Sequence, residues 1–170
     1  MERLRIALHA LDRTGPPVLA LAFARWVRRA HPEVDLQVVA LRGGPLIDEV
    51  VQLAHGLAVL EPHEAWDVER LDPERAERAR QRIDALPTPD ATLLVSVAAG
   101  QLLPVMADTG TLVTWVVEQG EDLDWIDRPT GLRERTRVWM AGSRSSQAEA
   151  TCRLGVPVRL TPEFVDDREP

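Results

Sequence analysis

Short apolar runs alternate with amphipathic stretches along the whole chain. That alternation is the signature of βαβ units wound around a mostly parallel sheet. Residues 4–9 form the first run and read as a strand; the turn-rich Asp12-Arg13-Thr14-Gly15-Pro16-Pro17 ends it, and apolar residues then recur at helical spacing over 18–29. Residues 34–41 are apolar at nearly every position, as a strand covered on both faces requires, and Arg42-Gly43-Gly44-Pro45 stops them. A short helix over 46–54 and a third strand over 56–60 follow. The polar stretch carrying His63, Trp66 and Asp67 has no assignable form, and Pro73 opens a helix of alternating Glu and Arg. Further strands are expected at 93–97, 111–117, 137–141 and 156–160, with a helical stretch at 101–107 and an acidic loop after 117. Ser143 caps a helix between the last two strands. The pattern predicts an α/β fold over residues 1–170 as one domain, with about seven strands in a mostly parallel sheet and helices on both faces, in three layers.

Open sheets of this kind bind ligands at the carboxyl ends of their strands, near the point where strand order reverses. The segments to inspect are residues 9–17, 42–45, 61–67, 97–100 and 118–127. In the first, Gly15 stands just ahead of a helix N-terminus, where free N–H groups and the helix dipole favour an anion. Pro16 and Pro17 lack N–H groups, so such a site depends on Thr14, Gly15, Val18 and the Arg13 side chain. The alternative is that Gly15 makes the turn and proline starts the helix. Arg42-Gly43-Gly44 can bring backbone close to a ligand or simply turn the chain from strand to helix. His9, at the end of the first strand, is the histidine best placed to face a cleft, with a satisfied strand-end imidazole as the equal alternative; His31 falls at a helix end and His55 at a turn. Glu118, Glu121, Asp122, Asp124 and Asp127 are enough carboxylates for Mg²⁺ or Ca²⁺ in principle, but read better as a solvated loop, and no metal site is expected. Trp26, Trp115 and Trp139 sit in periodic apolar elements and belong to the core. Trp66 and Trp125 fall in loops, where a ring can flank a sugar or lipid or simply pack.

Composition narrows the functional classes. A chain of 170 residues, 45% hydrophobic and 28% charged, can bury roughly 70% of its unfolded surface. No apolar run approaches the ~18 residues of a membrane span, and the start lacks the features of a signal peptide. A cytoplasmic protein is expected, with membrane contact peripheral at most. The net charge of −7 argues against a nucleic-acid partner. All 20 basic residues are Arg, which excludes Schiff-base chemistry and a Walker lysine. The single Cys152 excludes an internal disulfide framework and a multi-thiolate metal site, and reads as a small buried hydrophobe. No G-x-G-x-x-G is present, which disfavours a dinucleotide dehydrogenase. Without a G-x-S-x-G elbow or a spaced Cys–His pair, a hydrolase is not expected either.

Four stretches in order carry a resemblance. Residues 4–27, with His9, Asp12, Arg13-Thr14-Gly15-Pro16-Pro17 and Ala24-Arg25-Trp26-Val27, resemble the opening of retaining GT-B glycosyltransferases of the large family-four type. That opening is a strand, an "RTGAP"-like loop and a leucine-rich helix ending in "RWL". Leu41-Arg42-Gly43-Gly44-Pro45-Leu46 is similar to their "RGGPL/GGEL" loop, and Thr114-Trp115-Val116-Val117-Glu118 to their W-x-H-E strand end. Pro162-Glu163-Phe164-Val165-Asp166 is similar to the "P-x-G/F-V-D" that leads into the second domain. Asp122-Leu123-Asp124 matches the D-x-D of the other large glycosyltransferase fold, but its surroundings do not follow that family.

The resemblance implies two Rossmann-like domains facing a cleft, the acceptor bound mainly by the first and the nucleotide sugar mainly by the second. Only the first is expected here, so this chain alone would not turn over. No cofactor is implied; the partners are a sugar nucleotide, held mainly by the absent domain, and a small-molecule, glycan or lipid acceptor. Carried across residue by residue, Gly15 would line the cleft near the donor diphosphate and His9, Asp12, Arg13 and Thr14 would border the acceptor. Arg42, Gly43 and Gly44 would join the cleft, and Glu118 would sit beside the reacting sugar as the catalytic candidate. Val117 stands where the family often has histidine, which bears on any acid/base role there; His9 can substitute. The alternative is a complete, non-catalytic Rossmann-like module that binds a phosphorylated or glycosylated ligand.

Overall fold

The structure, a computed structural model, describes residues 1–60 and 72–161. The expected inspection segment with His63, Trp66 and Asp67, and the motif Pro162-Glu163-Phe164-Val165-Asp166, lie outside the described residues. The elements in order are β1 (Arg3–Ala10), α1 (Gly15–Ala30), β2 (Asp35–Arg42), α2 (Ile47–Leu53), β3 (Gly56–Val59), α3 (Pro73–Asp84) and β4 (Ala91–Val95). A 3-10 segment (Val97–Val105), β5 (Thr111–Val116), a second 3-10 segment (Gly120–Asp127), α4 (Leu132–Arg135), β6 (Val138–Ala141), α5 (Arg144–Leu154) and β7 (Arg159–Leu160) complete it. The seven strands form one sheet in the order β3-β2-β1-β4-β5-β6-β7, and every pairing is parallel. The fold is α/β and Rossmann-like.

Residue parity along the strands sorts the core into two layers. Leu4, Ile6 and Leu8 of β1 pack with Ala20, Leu21 and Ala24 of α1 and Val50 of α2 on one face. Ala7 packs on the other face with Ala79 and Ile83 of α3, Leu102 and Leu103 after β4, Leu123 and Ile126 after β5, and Ala150 and Leu154 of α5. Pro16 and Pro17 open α1, where their missing N–H groups are harmless, and Arg28 and Arg29 sit in its last turn, where cations complement the dipole. The Asp72 side chain accepts the Arg75 N–H at 3.1 Å to cap α3. Ser143 caps α5, and Gly155 ends that helix in the left-handed region.

Several elements depart from the pattern expected of the sequence. β4 stops at Val95 and the next segment begins at Val97, four residues earlier than expected and in 3-10 rather than α form, with Pro104 inside it. The acidic loop folds into a 3-10 turn because Leu123 and Ile126, three apart, reach the core together. β7 keeps only Arg159–Leu160 of the expected run; Pro157 just before it has no N–H for a ladder. Cys152 is exposed rather than buried, because α5 turns Ser146, Ala150 and Leu154 to the core. Trp115 and Trp139 are core residues as expected, while Trp26 is half-buried and packs at the edge of the first layer.

From β4 onward every crossover passes over the α3 face. Among the described residues only α1 shelters the other face of β4, β5 and β6, beside an apolar trough of about 440 Å³ floored by Leu93, Val113, Trp115 and Met140. The Trp115 Nε1–H is buried there without an acceptor among the described residues. No helix among the described residues is long and apolar enough to cross a membrane.

The amino edge of the sheet is closed by Arg5, which is 2% exposed. Its guanidinium donates to Gln37 Oε1 at 3.1 and 3.0 Å, to the Pro87 carbonyl at 3.0 Å and to the Asp108 carbonyl at 3.3 Å. Burial lowers its pKa; the charges of Asp108 and Asp84 partly offset this. Beside it, Asp90 Oδ2 accepts the N–H groups of Glu2 and Arg3 at 2.6 and 3.0 Å. Replacing Arg5 by Met keeps the stem but takes the donor from Gln37 Oε1 and the Asp108 carbonyl, while the Pro87 carbonyl keeps the Gln37 Nε2–H at 3.0 Å. Arg5→Met should therefore cost about 1–3 kcal/mol of stability, read as a lower urea midpoint at unchanged m-value.

Candidate functional site

Strand order reverses between β1 and β4: the chain winds one way from β1 to β3 and the other way from β4 to β7. In open α/β sheets the crevice opens at this point, at the carboxyl edge. Here its walls are the loop after β1, the Ser96 turn after β4 and the Val117-Glu118 end of β5.

Ser96 has φ +86°, the one positive φ at a non-glycine position among the described residues. It is 1% exposed. A side chain in this region costs about 1–3 kcal/mol and persists only where its surroundings hold it. Three bonds do so. The Ser96 N–H donates to the Trp115 carbonyl at 2.9 Å, its Oγ accepts the Ala98 N–H at 3.1 Å, and its carbonyl accepts the Ala99 N–H at 3.2 Å. Glu118 completes the clasp: its Oε2 accepts the N–H groups of Val97 at 3.2 Å and Val117 at 3.1 Å. Glu118 thereby fastens the end of β5 to the turn leaving β4, and its Oε1 has no partner among the described residues. Sequence reasoning missed Ser96 because the apolar run 93–97 hides the break; a serine between two valines was its one signal.

His9 is half-buried on the α3 face of β1, and its Nδ1 is buried without a hydrogen-bond partner among the described residues. Burial pushes its pKa below the ordinary value; Asp12 opposes this, Arg42 reinforces it and Glu118 opposes it. Asp12 Oδ1 accepts the Thr14 N–H at 3.1 Å and the Thr14 hydroxyl at 2.5 Å, which folds the loop back on itself. Partial burial raises the Asp12 pKa, but the two Thr14 bonds and the charges of His9 and Arg42 outweigh it, so the carboxyl titrates below its usual range. Asp12, Arg42 and Glu118 thus act on His9 through charge, and His9 and Arg42 act on Asp12.

The other expected residues divide. Arg13 is turned away toward Glu49 of α2, at 3.4 Å. Gly15 is exposed, and a Cβ there would meet nothing within 4 Å. Gly43 is half-exposed on the turn after β2. Gly44 packs against the backbone of Leu11, where a Cβ would strike the carbonyl group, so its smallness joins the first two turns. That junction is closed by Leu11 N–H to the Arg42 carbonyl and Leu46 N–H to the Leu11 carbonyl, at 3.1 and 3.0 Å. The acidic turn is drawn away from the crevice: Arg153 of α5 holds Asp124 and Asp127 at 2.7 Å each, and Arg133 holds Asp127 at 3.1 Å. Arg128 lies over the Trp125 ring at 4.9 Å. Among the described residues no group of three or more His, Cys, Asp or Glu is placed to hold a metal ion.

Two outcomes follow from this geometry. A histidine whose folded pKa is depressed binds fewer protons than the unfolded chain below pH ~6.5, so its contribution to stability is complete above that value and declines as pH falls. Urea midpoints should therefore drop from pH ~6.5 downward, and His9→Gln should flatten that slope. Glu118→Ala frees two backbone donors and should cost about 1–2 kcal/mol, whereas Glu118→Gln, whose amide oxygen can still accept, should cost less than half as much in the same titration.

No family model matches the chain, and no curated protein is similar to it. Among solved structures it is similar to Anabaena Alr3699/HepE in complex with UDP and glucose, with a TM-score of 0.61 and 12% identity over 98% of this chain and 45% of that one. It is also similar to an alpha-glucosyltransferase in complex with UDP and a 13-mer DNA containing an HMU base, with a TM-score of 0.55 and 12% identity over 96% of this chain and 43% of that one. The chain thus spans less than half the length of either protein. At this identity the likeness is one of fold alone, the α/β Rossmann-like sheet described above.

Proposed function

We propose that this chain supplies the acceptor-binding wall of a cytoplasmic glycosyltransferase of the retaining family-four type, against which a second, nucleotide-sugar-binding lobe closes. The observation that carries the reading is the crevice at the strand-order reversal, where among the described residues His9 has a buried Nδ1 without a partner and Glu118 a carboxylate oxygen without one. The proteins of like fold support it: one was solved with UDP and glucose, the other with UDP and DNA, and each is more than twice the span matched here. A single wall accounts for that span.

In this reading His9, Asp12 and Thr14 border the acceptor. Gly15 lets the donor diphosphate approach, because no side chain stands in front of its backbone. The transfer joins an acceptor hydroxyl oxygen to the anomeric carbon of the donor, breaks the bond from that carbon to phosphate oxygen, and releases the hydroxyl proton. The lowered pKa of His9 keeps the imidazole neutral near pH ~7, able to accept a proton there. Glu118 holds the β4 and β5 ends in register beside the reacting sugar.

The test is a donor-hydrolysis and acceptor-transfer screen on this chain together with the proposed nucleotide-sugar-binding lobe. A valine side chain at Gly15 displaces substrate by about 1 Å or more, so Gly15→Val should lower kcat/KM roughly a hundredfold. Glu118→Gln should lower it about tenfold through one weakened charged hydrogen bond. Undiminished transfer in both variants would remove the site.

A further inference from the structure

The residues that lead into β6 and β7 line a second cavity, of about 390 Å³, which shares no residue with the walls of the crevice. Arg133, Arg137 and Arg159 stand around it, over an apolar wall that includes Val138, Trp139 and Pro157. No carboxylate lines it, although the chain carries 27 acidic residues against 20 basic ones. A hollow lined by charge of one sign over low-dielectric walls concentrates ions of the opposite sign.

Most polar groups around this cavity are already engaged. On the neighbouring acidic turn, Arg153 holds Asp124 and Asp127 at 2.7 Å each, and Arg133 holds Asp127 at 3.1 Å. Arg133 also donates to the carbonyls of Arg153 and Leu154, at 3.0 Å each. It thereby covers the last turn of α5, whose partial negative charge would otherwise repel an anion. The Thr136 hydroxyl donates to the Leu132 carbonyl at 2.7 Å and meets the Thr114 hydroxyl at 2.8 Å, so it offers a ligand nothing. Arg137 and Arg159 differ: both are exposed, and neither side chain has a hydrogen bond, ion pair or ring contact among the described residues. Their guanidinium groups are the donors this lining leaves open. Two such cations match the roughly two negative charges of a phosphate monoester, and guanidinium groups meet phosphate oxygens in paired bonds. Inorganic phosphate would leave the apolar wall bare. A phosphate ester with an apolar body engages both parts, in a volume typical of small-molecule pockets.

We propose that this cavity binds a phosphate monoester carried on an apolar body, at a site separate from the crevice and independent of the glycosyltransferase reading. The test titrates the chain with naphthyl phosphate, with naphthol and with inorganic phosphate, and follows the side-chain N–H resonances of Arg137, Arg159 and Trp139 by NMR. Naphthyl phosphate should shift these signals saturably and bind at least about tenfold more tightly than either control, since each control lacks one half of the match. Arg137→Gln and Arg159→Gln, both at exposed positions, should each weaken it about tenfold, the effect of one charged hydrogen bond. Arg144→Gln removes another exposed cation, one outside this cavity, and should leave the affinity unchanged. Inorganic phosphate or naphthol binding as tightly as the ester would overturn the inference. So would an equal loss in Arg144→Gln, full binding in both cavity variants, or no saturable shift at Arg137 and Arg159.

Discussion

A parallel strand can reach its neighbour only through a crossover, and in proteins of L-amino acids that crossover is right-handed. Reversing the direction of winding therefore moves the connections from one side of the sheet to the other. Here the reversal falls between β1 and β4, and three features follow from it. The first two helices cover one face, and among the described residues α3, the 3-10 segments and α5 cover the other. The carboxyl ends of β1 and β4 send their chains apart, so a crevice opens between them. Among the described residues the far half of the first face is left to α1, which explains the apolar trough above Trp115 and Met140.

The two edges of the sheet handle polar groups in opposite ways. At the amino edge Arg5, Gln37 and the carbonyls around them satisfy one another inside the protein, and Asp90 closes the first strand. At the carboxyl edge the chain accepts a left-handed serine, an unpartnered imidazole nitrogen and carboxylates bonded through one oxygen only. Unsatisfied or strained groups persist where something else is meant to meet them. Glu118 combines both habits, because one oxygen fastens two strand ends and the other has no partner among the described residues.

Most of the fold was legible in the chain because doubly covered strands such as β2 are continuous apolar runs, and the helices between them carry apolar residues at helical spacing. What was not legible lies where local preference yields to tertiary contact. Ser96 looks like strand because its neighbours are valines; only Glu118, twenty-two residues later, explains why the chain breaks there. Cys152 looks apolar, but its placement depends on the rotation of α5, which Ala150 and Leu154 set. At the site, His9 and Asp12 could be placed from the strand end and the loop that follows it. The coupling of both to Arg42, and of His9 to Glu118, arises from sheet order, which no single stretch of sequence contains. Gly44 illustrates the converse: a glycine that suggests a ligand loop serves to let two backbones touch.

Because Arg5 and its partners lie at the opposite rim from Ser96 and Glu118, that buried polar network is spatially separate from the crevice groups exposed to ligands. Loops at the upper rim can then be exchanged or lengthened through descent, or by an engineer, with the foundation untouched. A scaffold divided in this way can change what it recognises faster than it loses its shape.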